Sequence, residues 1–264
     1  MPGPVDADDR GSGPPVVLLH GQPGDRHDWD DVVVSLAGRA RTLVPDRPGY
    51  GATGGRAGGF AANTAAVIEL LDRSGLHRAV VAGHSWGGGV ALDLAERHPE
   101  RVDALVLVAS VGGRGSIGRF DRVLGLALLG DLLSLGGLVA LGVPPLRRRV
   151  VARSAPDHDR HRWRPSWRSF MVEQRALLDE LPEIAARVDA IRAPAVVVVG
   201  DADRIVRPSS QEALADRLPQ AEVVRVVHAG HLLLRERPDI VAAAIIRATE
   251  LAGPDVSGDA MIGS

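Results

Sequence analysis

The chain has 264 residues, of which 45% are hydrophobic and 24% charged; this excludes a wholly disordered polymer and is enough for one large core. Its 31 basic residues, all arginine, face 33 acidic ones, and the formal net charge of -2 gives no whole-chain attraction to nucleic acid or an anionic membrane. The absence of cysteine excludes disulfides, thiol catalysis and thiolate metal sites.

The amino terminus carries acids and prolines where a signal peptide would carry a basic start and an apolar run. This predicts a flexible tail over residues 1–12 and a cytoplasmic protein. Val16 to Leu19 then reads as a strand ending at His20-Gly21, and "RTLVPDRPGYG" supplies a second strand that proline and glycine force out of the sheet. Asn63 to Ser74 reads as a helix, with Ala66, Val67, Leu70 and Leu71 at three- and four-residue spacings. Four further strands follow in "RAVVAG", "VDALVLVAS", "APAVVVVG" and "AEVVRVVH". Their continuous apolar runs fit strands covered on both faces. Helices are expected between them, at Gly88 to Glu96 and Ser209 to Leu218. This alternation predicts a single α/β domain over 13–252 with a mostly parallel sheet and a flexible tail over 253–264.

The alternation breaks at about 112–178, a span too long for an ordinary crossover and therefore read as a helical cap insertion. The cap opens on an apolar run, Val123 to Val143, long enough to cross a bilayer. Asp131 near its middle and the glycines around it favour packing over an apolar pocket, so no stable membrane insertion is expected. Arg147, Arg148, Arg149 and Arg153 read as a solvated basic face, and His158 with His161 as a surface loop lacking the further ligands of a metal site. Whether the apolar cap pairs two copies into a homo-oligomer stays open.

Chemistry concentrates in "GHSWGG", where Gly83 and Gly87 flank Ser85 at the G-x-S-x-G spacing. Small neighbours let a strand turn sharply into a helix and expose the hydroxyl. A serine hydroxyl is a poor nucleophile near neutral pH and needs a base that is itself oriented by a third group. His231, in "VVHAGH", follows the last predicted strand, and Asp203, in "GDADRIV", follows the preceding one. His231 is preferred to His228, which still belongs to the strand end. The glycine-rich corner lacks both the lysine of a Walker motif and the spacing of a dinucleotide loop, so no cofactor is expected.

With "HGQPG", "DRPGYG", "GHSWGG", "GDADRIV" and "HAGH" in this order, the chain resembles the α/β-hydrolase superfamily in its cap-bearing form, over about residues 14–252. The resemblance implies the α/β-hydrolase fold and a triad of Ser85 as nucleophile, Asp203 as the acid and His231 as general base. It favours Asp203 over Asp201 because the family acid lies three positions after Gly200. It also implies an oxyanion hole from the backbone N–H groups of Gln22 and Trp86. His20, His84 and the Trp86 indole are candidate pocket residues, the two histidines chiefly as loop hydrogen-bonders, and Tyr50 is read as packing nearby. Relatives that open epoxides or haloalkanes carry aspartate where this chain has Ser85, and the ether that serine would form resists hydrolysis.

The apolar cap favours a small to medium hydrophobic ester, thioester or lactone as the small-molecule substrate. A C–C bond hydrolase, a proline-iminopeptidase-like enzyme and a perhydrolase share the same triad. A non-enzymatic ligand receptor or scaffold with this fold is the alternative outside catalysis.

Overall fold

A computed structural model describes residues 4–113, 115–118, 121–122 and 167–253. The apolar run Val123 to Val143, the cap arginines, His158, His161 and the carboxyl-terminal tail beyond Gly253 lie outside these residues. Seven strands form one sheet: β1 (Ala7–Arg10), β2 (Pro15–Leu19), β3 (Arg41–Pro45), β4 (Ala79–His84), β5 (Val102–Val108), β6 (Ala195–Gly200) and β7 (Ala221–Val226). Their spatial order is β1-β3-β2-β4-β5-β6-β7. All neighbours are parallel except β1 and β3.

The described helices are α1 (Asp30–Leu36), α2 (Phe60–Arg73), α3 (Trp86–Arg97), α4 (Trp167–Asp179), α5 (Leu181–Arg187), α6 (Pro208–Ala215), α7 (Leu233–Glu236) and α8 (Pro238–Ala252). They cover both faces of the sheet because the pleat sends alternate side chains to opposite sides. In β2, Val17 and Leu19 enter a core shared with α2, α3, α5 and α6. Val16 and Leu18 enter a second core with Trp29, Val32 and Leu36 on one side and Val241 and Ile245 of α8 on the other. Every residue of β2, β4, β5 and β6 is buried, as the continuous apolar runs predict.

Two expectations need correction. The amino-terminal dozen is not a loose tail throughout: Ala7 to Arg10 pair in register with Pro45 to Thr42, and Val5 is buried. An edge strand draws its hydrogen bonds from the backbone and needs few apolar side chains. Its acids are held by arginines of the body, Asp8 by Arg26 and Asp9 by Arg41. The strand β7 is not covered on both faces either. It lies at the other edge, and Val223 is 43% exposed.

All three predicted triad residues leave the carboxyl ends of parallel strands, Ser85 after β4, Asp203 after β6 and His231 after β7. The register pairs Gly83 with Leu107 and Val108 with Val198, which sets these strand ends side by side. Loops at that end of an open α/β sheet are where ligands bind.

The burial contrast carries a measurable consequence. Leu105→Ala in the doubly covered β5 lowers unfolding free energy by about 2–5 kcal/mol. Val223→Ala at the exposed edge changes it by about 0.5 kcal/mol or less. Denaturant titration of both variants checks the pair, and equal losses would contradict the described sheet order.

Candidate active site

The nucleophile elbow is built by glycines that tolerate no side chain. A Cβ on Gly83 would stand 2.6 Å from the Gly88 Cα, and one on Gly87 would stand 2.6 Å from the His20 carbonyl oxygen. These approaches let β4 turn directly into α3. Ser85 occupies the corner at φ 53° and ψ -118°, a conformation that costs a non-glycine residue about 1–3 kcal/mol. Its backbone is tied on both sides to hold it there. The Ser85 N–H donates to the Val108 oxygen at 2.9 Å, and its carbonyl accepts from Gly88 at 3.0 Å and Val111 at 3.2 Å.

From that corner the Ser85 hydroxyl lies 3.0 Å from His231 Nε2. His231 Nδ1 lies 2.9 Å from Asp203 Oδ2. Since a carboxylate accepts, this contact favours the proton on Nδ1 and leaves the Nε2 lone pair to receive the serine proton. Asp203 is buried and fixed by four donors. Its Oδ1 accepts from the N–H groups of Ile205 at 2.8 Å and Val206 at 3.0 Å. Its Oδ2 accepts from Gln211 Nε2 at 3.1 Å as well as from the imidazole.

The two competing assignments separate in space. Asp201 accepts from the exposed His228 N–H at 2.7 Å, so this pair closes the turn after β7 and stands outside the Ser85–His231–Asp203 chain.

The loop holding Gln22 lies against the elbow, because a Cβ on Gly21 would stand 3.1 Å from the Ser85 Cβ. Trp86 is the first residue of α3, so its N–H has no intrahelical acceptor. The Gln22 amide side chain points to Gln174 of α4 at 3.0 Å. The Trp86 indole is buried, stacks on Phe60 with ring centroids 4.2 Å apart, and donates from Nε1 to the Glu173 carbonyl at 3.3 Å. It packs within the protein beside the site.

His20 and His84 are both loop hydrogen-bonders. His20 Nδ1 donates to the Gly21 oxygen at 2.8 Å, while its Nε2 accepts from the Arg47 N–H at 3.0 Å. His84 Nε2 donates to the His231 carbonyl at 2.9 Å and so steadies the loop that carries His231. Burial, reinforced by the neighbouring His231, pushes His84 down to about 3. Burial and the adjacent Arg47 push His20 well below the ordinary imidazole range. Both rings are neutral at pH 7. Tyr50 packs edge-on against His20 at 5.4 Å between centroids, as a packing residue should.

Three residues that matter here carry no role in the sequence reading. Gln211 on α6 braces Asp203, but eight residues downstream of the acid it reads as an ordinary helix-surface amide. Glu173 on α4 is buried against Arg47 and Tyr50, yet it lies near the end of the predicted cap span, in a run of mixed polarity. Arg47 lies within the quoted "DRPGYG" but looks like a solvent-facing turn residue. Among the described residues no group of three or more histidine, aspartate or glutamate side chains is arranged to hold a metal ion. No helix among them is long and apolar enough to cross a membrane.

A family model described as the alpha/beta hydrolase fold matches residues 14–238, and the chain belongs to that family. It is 29% identical over 255 residues to the dihydrolipoyllysine-residue acetyltransferase component of the acetoin cleaving system of Pseudomonas putida, covering 87% of this chain and 61% of that protein. The chain thus spans about three fifths of that relative, and 43% of the length of an uncharacterized Mycobacterium tuberculosis protein that it matches at 32% identity. It is 26% identical to haloalkane dehalogenase 2 of M. tuberculosis, over 90% of this chain and 88% of that one. Among solved structures it is similar to a thermophilic esterase from Thermogutta terrifontis, with a TM-score of 0.77 and 25% identity over 95% of this chain and 94% of that chain.

A neutral His84 in the fold gives a signed pH dependence. Below about pH 6.5 the unfolded chain takes up a proton that the folded ring refuses, so folding stability falls as pH drops towards 3. His84→Gln removes this titration and flattens the slope by about 1.4 kcal/mol per pH unit between pH 4 and 6. Denaturant midpoints of the variant and wild type, compared across that range, provide the check; identical slopes would show that His84 titrates normally.

Proposed function

We propose that the chain is a serine hydrolase acting through an acyl-enzyme on a small to medium hydrophobic carboxylic ester, thioester or lactone. The single observation behind this reading is the unbroken hydrogen-bond chain from Ser85 through His231 to Asp203 at a strained elbow. His231 Nε2 takes the hydroxyl proton as Oγ attacks the substrate carbonyl carbon. The carbonyl π pair moves onto oxygen, and the Gln22 and Trp86 N–H groups meet that charge. Asp203 stabilises the imidazolium without taking its proton.

Collapse of the intermediate expels the leaving group, which receives the proton from His231, and leaves the acyl group on Ser85. Water then attacks the ester with His231 again as base, releasing the carboxylic acid and restoring the hydroxyl. Each cycle consumes one water and needs no redox partner.

The likeness to a thermophilic esterase, at 25% identity along nearly the whole chain, supports acyl chemistry. The dehalogenase likeness is offset by Ser85, since the alkyl ether formed from a haloalkane would be a dead end. The likeness to an acetyltransferase component favours a second reading, in which a thiol or alcohol takes the acyl group from Ser85 in place of water. The first half-reaction is common to both.

Ser85→Ala should lose labelling by a fluorophosphonate and lose turnover by about 10⁵- to 10⁶-fold. Asp203→Asn, which disturbs the histidine tautomer, should lower kcat by about 10⁴-fold. The measurement is turnover of an ester, thioester and lactone series, with and without an added thiol acceptor. Faster acyl transfer to thiol than to water selects the second reading. No Ser85-dependent labelling or turnover in any arm would reject both.

A further inference from the structure

Arg47 is among the largest buried side chains of the described residues, at 2% exposure, and a buried guanidinium must have its donors met. Its Nε donates to the His20 carbonyl at 2.9 Å and its Nη2 to the Gly21 carbonyl at 2.9 Å. The Glu173 carboxylate of α4 supplies the counter-charge through contacts to both Nη atoms. Tyr50 donates to that carboxylate at 2.7 Å. The guanidinium carbon also lies 4.6 Å from the centroid of the Trp86 ring.

The Gly21 carbonyl and the Gln22 N–H belong to one planar peptide unit and point in opposite directions. Two donors grip the carbonyl end, Arg47 Nη2 at 2.9 Å and His20 Nδ1 at 2.8 Å. Arg47 fixes the second donor too, because its own backbone N–H fills His20 Nε2 at 3.0 Å and leaves the ring proton on Nδ1. Gripping the carbonyl sets the direction of the N–H at the other end. A cationic donor on that oxygen also draws density from the amide and strengthens the N–H as a donor. The Trp86 ring is held by the same Arg47 and by donation to the Glu173 carbonyl at 3.3 Å.

We propose that Arg47, locked by Glu173, is the positioning residue of the oxyanion hole, aiming and polarising the Gln22 N–H through the Gly21 carbonyl and seating Trp86 through its ring. This rests on the serine-hydrolase reading and adds to it a residue whose hydrogen bonds go to His20, Gly21, Asn63 and Glu173. Lysine cannot replace it, since one ammonium lacks the fork that reaches two carbonyls and a carboxylate together.

The test compares wild type, Arg47→Lys, Arg47→Met and Trp86→Phe on one ester, with thermal melting as the measure of folding. The second readout is the pH at which the hemiketal formed by a trifluoromethyl ketone on Ser85 ionises, followed by ¹⁹F NMR. Arg47→Lys should melt near wild type while kcat falls about 10- to 100-fold, KM stays within about threefold and the hemiketal ionises at higher pH. Arg47→Met should lose at least as much. Trp86→Phe should lower kcat by about 3- to 10-fold at similar KM, and it keeps the test decisive where a buried arginine substitution prevents folding. A folded Arg47→Lys with wild-type kcat and unchanged hemiketal ionisation overturns the inference alone, as does an unchanged Trp86→Phe where neither Arg47 variant folds. A wild type that forms no adduct on Ser85 overturns the serine-hydrolase reading, and this inference with it.

Discussion

Ser85 sits at φ 53°, where a side chain is strained, and the surrounding structure is arranged so that it cannot relax. Three backbone hydrogen bonds hold the residue between β4 and α3, and glycines pack so closely around it that even a methyl group would clash. The corner projects the hydroxyl beyond the sheet and places the N–H of Trp86, the first residue of α3, beside it. Other parts of the site then need only be brought to that fixed point. The parallel register does this by ending β6 and β7 at the same edge, so that Asp203 and His231 arrive from short loops.

A second layer of interactions surrounds the first and is made mostly of buried polar groups. Gln211 and two backbone N–H groups hold Asp203; His84 holds the His231 carbonyl; Arg47, His20 and Glu173 hold the loop of Gln22 and the ring of Trp86. Such groups are costly to bury unless paired, and the hydrogen bonds they make restrict the site to one geometry. The ion pair of Arg47 and Glu173 ties the loop after β3 to α4, at the end of the predicted cap span. Burial raises Glu173 and its guanidinium partner opposes that shift, so the paired state depends on Arg47 staying in place.

Much of this geometry was legible because strands and a glycine-rich elbow impose strong local rules. Valine runs marked five strands, and G-x-S-x-G located Ser85 because only glycine permits the turn. Chain order placed candidates in the loops after the last two strands, and the family resemblance preferred Asp203 to Asp201. The edge strand Ala7–Arg10 was hidden because its pairing is carried by backbone groups and its side chains are charged. The partial exposure of β7 was hidden for the converse reason, its valines resembling those of a central strand. Arg47 and Glu173 meet across a separation of 126 residues, Gln211 reaches Asp203 only through the turn between β6 and α6, and single polar residues carry no periodic signature.

The claim on which the account turns is that the elbow serine itself carries the acyl group. The direct measurement is intact mass and peptide mapping of the enzyme quenched in acid during turnover of an activated ester. The account predicts one added acyl mass, confined to the peptide bearing Ser85 and decaying at the rate of product release. Continued turnover with no covalent adduct, or with the acyl group on another residue, would contradict it.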